Sequence, residues 1–135
     1  MKPQRQTVFG GGANGSEPGN CFAACVATVL GLDLVQVPNF VAVPADASWW
    51  LPFERWCAER NVWPLWLEAS AISGSFDLVV IANGEGPRGL RHSVVWRDDS
   101  MLWDPHPSDE GLVGDPDAFV ILAQQDPSRS HCSEL

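Results

Sequence analysis

One short segment, CFAACVATVL, constrains the fold of this chain more than any other part of its sequence. Asn20 precedes the segment as a candidate N-cap and Gly31 follows it as a stop signal, so the pattern predicts a helix from Cys21 to Leu30. Apolar residues occupy almost every side of this helix. Because such a helix has to be covered all round, we expect it to form the buried centre of the domain.

Helical and extended patterns follow in separate blocks. Residues 48–61 predict a second helix, with Ser48 as its N-cap and Pro52 in its first turn. Later apolar runs predict strands at residues 62–68, 76–82, 92–97, 101–104 and 118–123. This order predicts an α+β fold in which an N-terminal central helix packs on an antiparallel β-sheet. We expect one domain over residues 1–123 and a flexible tail over residues 124–135.

The chain is strongly acidic, with 8 Lys and Arg against 17 Asp and Glu and a formal net charge of -9. A chain of this charge without a basic cluster is a poor candidate for binding nucleic acid or an anionic membrane. Its apolar runs are too short to span a bilayer, and no apolar segment follows the polar residues 1–7 as it would in a signal peptide. We therefore expect a cytoplasmic protein whose four cysteines are thiols, and the acidic charge is compatible with a peptide or protein substrate.

Two of the cysteines fall on the predicted helix, and their positions predict different roles. Cys21 is the first residue of the helix, where unpaired backbone N–H groups and the helix dipole lower the pKa of a thiol. Cys25 lies a full turn inside, where this effect is much weaker, so it is better explained as a small buried apolar residue. The position of Cys21 predicts a nucleophile.

A cysteine nucleophile needs a histidine to hold and move its proton. The chain has three histidines, at positions 92, 106 and 131. His92 opens a predicted strand directly after a loop rich in Gly and Pro, a rigid position from which a base can face a helix terminus. We predict His92 as the base, interpret His106 as a surface or structural residue, and assign His131 to the tail.

Asp104 ends the strand that follows and is a candidate for orienting the histidine. If residues 97–99 form a three-residue hairpin loop, His92 and Asp104 pair directly and point to the same face of the sheet. A two- or four-residue loop would turn Asp104 to the other face. The catalytic hypothesis therefore predicts the three-residue loop, whereas on the simpler interpretation Asp104 and Pro105 only start a turn.

Three short motifs together resemble the papain-like cysteine peptidase superfamily: Gly-Asn-Cys opening an apolar helix, His-Ser-Val-Val after a Gly-rich loop, and Trp-Asp-Pro. The pattern is most similar to the small bacterial and phage-borne peptidases akin to the bacteriocin-leader-processing and NlpC types. The resemblance implies Cys21 as nucleophile, His92 as general base and Asp104 as orienting residue, with a peptide or protein substrate and no metal or cofactor. The family also places an oxyanion-binding Gln a few residues before the cysteine. Gln6 is the candidate here, at a longer spacing than usual.

Other functions fit parts of the same pattern. The three residues could transfer the acyl group to an amine instead of water, because both compete for one thioester. A catalytically inactive papain-like module could bind a peptide in the groove, in which case His92 would be misplaced or Cys21 blocked. A zinc site built from Cys21, Cys25, His92 or His106 is a further alternative, although no second cysteine pair follows.

Overall fold

The computed structural model of the chain describes residues 1–10, 19–43 and 47–124. Helix α1 spans Cys21–Leu30 and helix α2 spans Trp50–Ala58. The strands are β1 Val62–Glu68, β2 Val80–Glu85, β3 Arg91–Arg97, β4 Ser100–Trp103 and β5 Ala118–Gln124. Two single turns of 3-10 helix, Leu34–Gln36 and Ala69–Ala71, lie in the connections.

The five strands form one antiparallel sheet in the order β1-β5-β2-β3-β4. Helix α1 packs on β3 and β2, and helix α2 packs on β1. Between these helices and the sheet lies a core of buried side chains that includes Phe53, Ile81, Val95 and Val120. The predicted α+β class, with helices packed on an antiparallel sheet, is confirmed.

Helix α1 has the predicted bounds and the predicted central position. All of its residues are buried except Cys21 at its start and Val29 near its end. The helix ends at Gly31, whose left-handed φ of 74° lets its N–H reach the carbonyls of Ala27 and Thr28. The apolar helix is therefore covered on nearly all sides, and its first residue stays accessible.

The second predicted strand is wrong in its position. Residues 76–79 lie outside the sheet, and β2 instead begins at Val80 and continues to Glu85. Phe76 packs its ring on Phe119 at a centroid distance of 5.0 Å, and its carbonyl accepts the Asp98 N–H. The apolar run before β2 therefore covers the sheet as a loop, a tertiary role that a local pattern does not reveal.

Helix α2 also begins later than expected. Trp49, and not Ser48, takes the N-cap position, and no side chain caps this end of the helix. The helix ends at Ala58, close to the predicted end at Asn61. Trp49 packs its ring against Phe22 at a centroid distance of 5.1 Å, and this contact joins the start of α2 to α1.

The β3–β4 hairpin has a two-residue loop, so the predicted three-residue loop is wrong. Asp98 and Asp99 form the loop with φ values of 51° and 64°. Left-handed conformations at both positions give a turn whose twist matches that of the two strands, and Asp tolerates this conformation better than most residues. By itself this loop would send Asp104 to the wrong face of the sheet.

A β-bulge restores the face of Asp104. The pairing shifts between Val95 and Trp96, so β4 carries one extra residue, Leu102, before the Val95–Trp103 pair. One extra residue reverses the alternation of side chains beyond it. Asp104 then shares a face with His92 as a diagonal neighbour and not as the directly opposed residue that the sequence predicted.

The predicted domain boundary falls one residue inside β5, which runs to Gln124. The rest of the proposed tail, with His131 and Cys132, lies outside the described residues. None of the helices in the described parts of the chain has the length and apolar character needed to cross a bilayer.

Candidate active site

Asn20 stands at the N-cap position of α1, as the sequence predicts, but its side chain makes no hydrogen bond to the first turn of the helix. Its Oδ1 accepts the backbone N–H groups of Thr7 and Val8, both at 2.9 Å, and its Nδ2 donates to the Thr7 hydroxyl. A Cβ added to the preceding Gly19 would lie 3.0 Å from the Val8 carbonyl. The Gly-Asn pair therefore fastens the N-terminal segment beside the start of α1.

Cys21 begins α1 and is half-buried, with its side chain lining an open cleft. Burial alone would raise the pKa of its thiol, but a hydrogen bond to His92, the charge of His92, and hydrogen bonds from the Ser93 N–H and hydroxyl outweigh burial and lower it. Cys25 is fully buried, and burial together with its negative neighbours raises its pKa well above the ordinary value.

His92 links the sulfur to the carboxylate. Its Nε2 lies 2.7 Å from Asp104 Oδ1, so Nδ1 is the ring nitrogen left to face Cys21. Burial would lower the pKa of this imidazole, but its hydrogen bonds and charge interactions with Asp104 and Cys21 raise it to about 9. A raised histidine pKa beside a lowered cysteine pKa favours a thiolate–imidazolium pair.

Asp104 is 1% exposed, and its carboxylate accepts several hydrogen bonds. Besides His92, the backbone N–H of His106 donates to Oδ1 and that of Gly111 donates to Oδ2, each at 2.8 Å. Burial would raise the pKa of the carboxyl, but these hydrogen bonds lower it overall. The carboxylate is therefore ionised and held in place, which fixes the orientation of His92.

Gln6 lines the same cleft as Cys21 and His92 despite its distance in sequence. It is 5% exposed, its backbone N–H donates to the Pro105 carbonyl, and its Nε2 donates to the Val8 carbonyl at 3.0 Å. The attachment of residues 7 and 8 to Asn20 brings it there. Three of the four residues singled out from the sequence therefore line one cleft, and the fourth, Asp104, is buried against His92.

The cleft has a volume of about 600 Å³. Its lining includes three aromatic residues, Phe22, Trp49 and Trp66, and two arginines, Arg88 and Arg91. Each arginine is paired with an acidic residue, Arg88 with Glu110 and Arg91 with Asp117. The cleft is open and large enough to admit a peptide segment beside the sulfur.

Sequence reasoning missed three polar residues of the cleft, Asn83, Ser93 and His106. Asn83 lies just beyond the predicted strand at residues 76–82, yet it belongs to β2. Ser93 follows His92 directly, and strand alternation would send its side chain away from the site. His106 faces the His92 ring edge-on at a centroid distance of 6.3 Å, while its Nδ1 pairs with the Ser108 hydroxyl.

The zinc alternative finds no support in the geometry. Within residues 1–10, 19–43 and 47–124, no three His, Cys, Asp or Glu side chains are grouped so that they could hold a metal ion. Cys25, one of the suggested ligands, is sealed in the core, and its raised pKa opposes the thiolate that a metal needs.

Comparison with known proteins adds no relative to this description. No family model matches the chain, and neither the curated proteins nor the solved structures give a significant match. The function is therefore inferred from the chemistry of the cleft.

Proposed function

We propose that this chain is a cysteine-nucleophile hydrolase that cleaves a peptide, isopeptide or related amide bond. One observation carries the proposal: Cys21, His92 and Asp104 form a continuous hydrogen-bonded row whose sulfur end opens into the cleft. Each member has the acidity its role requires, with a lowered pKa for the thiol, a raised pKa for the imidazole and a lowered pKa for the carboxyl.

The chemistry runs in two halves. The Cys21 thiolate attacks the carbonyl carbon, and the tetrahedral intermediate collapses as His92 gives its proton to the departing amine, which leaves an acyl thioester on Cys21. His92 then takes a proton from water, the resulting hydroxide attacks the thioester, and the acid product leaves as the thiolate is restored. Asp104 holds the imidazole in position throughout.

The oxyanion of the intermediate needs hydrogen-bond donors aimed into the cleft. The first-turn N–H groups of α1 have no intrahelical partners, and no side chain caps them. Gln6 Nε2 carries two hydrogens and gives one to the Val8 carbonyl, so a second is left to donate. The Cys21 N–H and Gln6 Nε2 are therefore the oxyanion donors in this proposal.

The finer fold assignment, a papain-like domain, belongs to the same proposal. Its support is the chain order Cys, His, Asp, with the cysteine at the start of a buried helix, the histidine on an antiparallel sheet and the aspartate directly after strand β4. An inactive binding module would show a displaced histidine or a blocked cysteine. Here His92 hydrogen-bonds Cys21 and Cys21 lines the cleft, so the active enzyme is favoured.

The test is cleavage of a proteome-derived peptide library by the full chain, with new peptide ends identified by mass spectrometry. We expect cleavage by the wild type and by Cys57→Ser, a matched control in another buried thiol, but none by Cys21→Ser. An added primary amine separates hydrolysis from acyl transfer, because a transferase converts the acyl half of its substrate mainly into the amide of that amine, whereas a hydrolase releases mainly the free acid. Equal product formation by Cys21→Ser and wild type would contradict the proposal.

A further inference from the structure

Two polar residues of the cleft wall, Ser93 on β3 and Asn83 on β2, have no part in the mechanism above. They are direct partners in the antiparallel pairing of these strands, so their side chains leave the sheet on the same face. Ser93 is 5% exposed and Asn83 is 7% exposed. Ser93 Oγ and Asn83 Oδ1 lie 2.5 Å apart, and both residues line the cleft with Cys21.

The Ser93 hydroxyl has one hydrogen, and two neighbouring acceptors compete for it. It donates to Asn83 Oδ1, while the same hydroxyl and the Ser93 backbone N–H also lie within hydrogen-bonding reach of the Cys21 sulfur. A single hydrogen cannot serve both the amide and a thiolate. The arrangement also leaves Asn83 Nδ2 buried without a partner, and no ligand in the cleft reaches that atom because it is closed off from solvent.

Turning the Asn83 amide by 180° about its last bond resolves both problems, once the contact lengthens from 2.5 Å to the roughly 2.7–3.2 Å of an N–H···O hydrogen bond. Nδ2 then donates to Ser93 Oγ, and the Ser93 hydrogen is released to the Cys21 sulfur. The group left without a partner becomes a carbonyl oxygen, which proteins tolerate more often than a buried orphan N–H. The two orientations fill nearly the same space, so the hydrogen bonds decide between them.

We propose that Asn83 and Ser93 form a donor relay that holds the Cys21 sulfur as a thiolate, separately from His92. This inference rests on the proposed function, since it assigns further residues to the same nucleophile. Ser93 touches the reacting sulfur, and Asn83 is a positioning residue that acts through Ser93. The relay stabilises the negative sulfur before attack and again when the thiolate leaves the acyl group.

The charged and titratable groups around the sulfur lie on several elements. His92 lies on β3, Cys25 lies on α1, and Asp104 follows β4. Three further charged or titratable groups line the cleft: Arg88, Arg91 and His106. Removing the Ser93 hydroxyl leaves all of these groups unchanged. A change in the titration of Cys21 would therefore report the loss of the hydroxyl itself.

The test is the pH dependence of Cys21 alkylation by iodoacetamide in the full chain, resolved by mass spectrometry. In Ser93→Ala we expect the midpoint to rise by about one pH unit, the size expected for the loss of one hydrogen bond to an anion. Ser93→Thr and Ser93→Val form a matched pair of equal size, and only the threonine variant should keep the wild-type midpoint. Asn83→Leu should raise the midpoint by less than Ser93→Ala, and Ser100→Ala, an exposed serine on β4, should not change it.

The possible midpoints distinguish failure of the relay from failure of the proposed function. A Ser93→Val midpoint equal to that of Ser93→Thr overturns the relay and leaves the nucleophile intact. A shift at Ser93 without any shift in Asn83→Leu overturns the part assigned to Asn83. A wild-type midpoint at the ordinary thiol pKa of about 8.5 overturns the proposed function, and the relay with it.

Discussion

Cys21 and Cys25 lie one turn apart on the same helix, yet their thiols have opposite acidities. Burial raises the pKa of both. At Cys21, hydrogen bonds from His92 and Ser93 outweigh burial, whereas Cys25 meets only the negative charges of Cys21 and Asp104. The comparison teaches that the helix terminus makes Cys21 accessible, but its partners on β3 make it acidic.

The largest effect should come from deleting one thiol or the other. Cys21→Ala should reduce cleavage by at least about 10⁴-fold, because no covalent intermediate can form. Cys25→Ala should leave the rate close to that of wild type, since its thiol takes no part in the chemistry. Steady-state rates, measured on the first substrate that is identified, test this contrast. The prediction is contradicted if both variants lose activity while remaining folded.

Neutralising the carboxylate should give the next largest effect. Asp104→Asn removes the charge that supports the imidazolium, so the pKa of His92 should fall and that of Cys21 should rise. We expect a loss of cleavage on the order of 10³-fold. Asp115→Asn, at an exposed carboxyl, is the matched control. Equal rates for the two variants would show that His92 does not depend on Asp104.

The pH dependence of cleavage should follow the same coupled groups. The rate should rise with pH through the lowered pKa of Cys21 and fall above about pH 9, where His92 loses the proton it gives to the leaving amine. A pH–rate profile measures both limbs. A rate still rising well above pH 9 would contradict the role of His92 as proton donor.

The folding stability should change with pH in a direction that each group dictates. The folded pKa of His92, about 9, exceeds its ordinary 6.5, so its contribution is complete below pH 6.5 and is lost as the pH rises through 9. The folded pKa of Asp104 is lowered, so its contribution is present above pH 3.8 and is lost as the pH falls. The folded pKa of Cys21 is lowered, so its contribution grows as the pH rises towards 9.0 and offsets the loss at His92. Urea unfolding should therefore show a weaker acid decline in Asp104→Asn than in wild type, and an unchanged acid decline would contradict the assignment.

A smaller effect should follow when the N-terminal segment is released. Asn20→Ala removes the acceptor for the Thr7 and Val8 amides and should cost about 1–3 kcal/mol in the free energy of unfolding. Cleavage should fall as well, because Gln6 loses its support. Thr7→Val, which removes only the hydroxyl that accepts a hydrogen bond from Asn20 Nδ2, should cost less in urea unfolding. The account of Asn20 is wrong if its variant is the more stable of the two.

Much of this architecture could be predicted from local pattern, and the failures share one physical cause. An apolar helix bounded by Asn20 and Gly31 is encoded locally, so its bounds came out correctly. The loop length of the β3–β4 hairpin and its bulge at Leu102 depend on packing against the rest of the sheet, and two errors in register cancelled at Asp104. The roles of Asn20 and Ser93 depend on contacts between distant segments, which no local motif encodes.

The most direct test of the thiolate–imidazolium pair is the iodoacetamide labelling rate of each cysteine across pH, in wild type and in His92→Ala. We predict that wild-type Cys21 labels rapidly well below the ordinary thiol pKa of about 8.5, while Cys25 and Cys57 stay unreactive. Removal of the imidazole should abolish this advantage. If Cys21 reacts no faster than an ordinary thiol, and does so regardless of His92, the central claim that the site holds an activated nucleophile is contradicted.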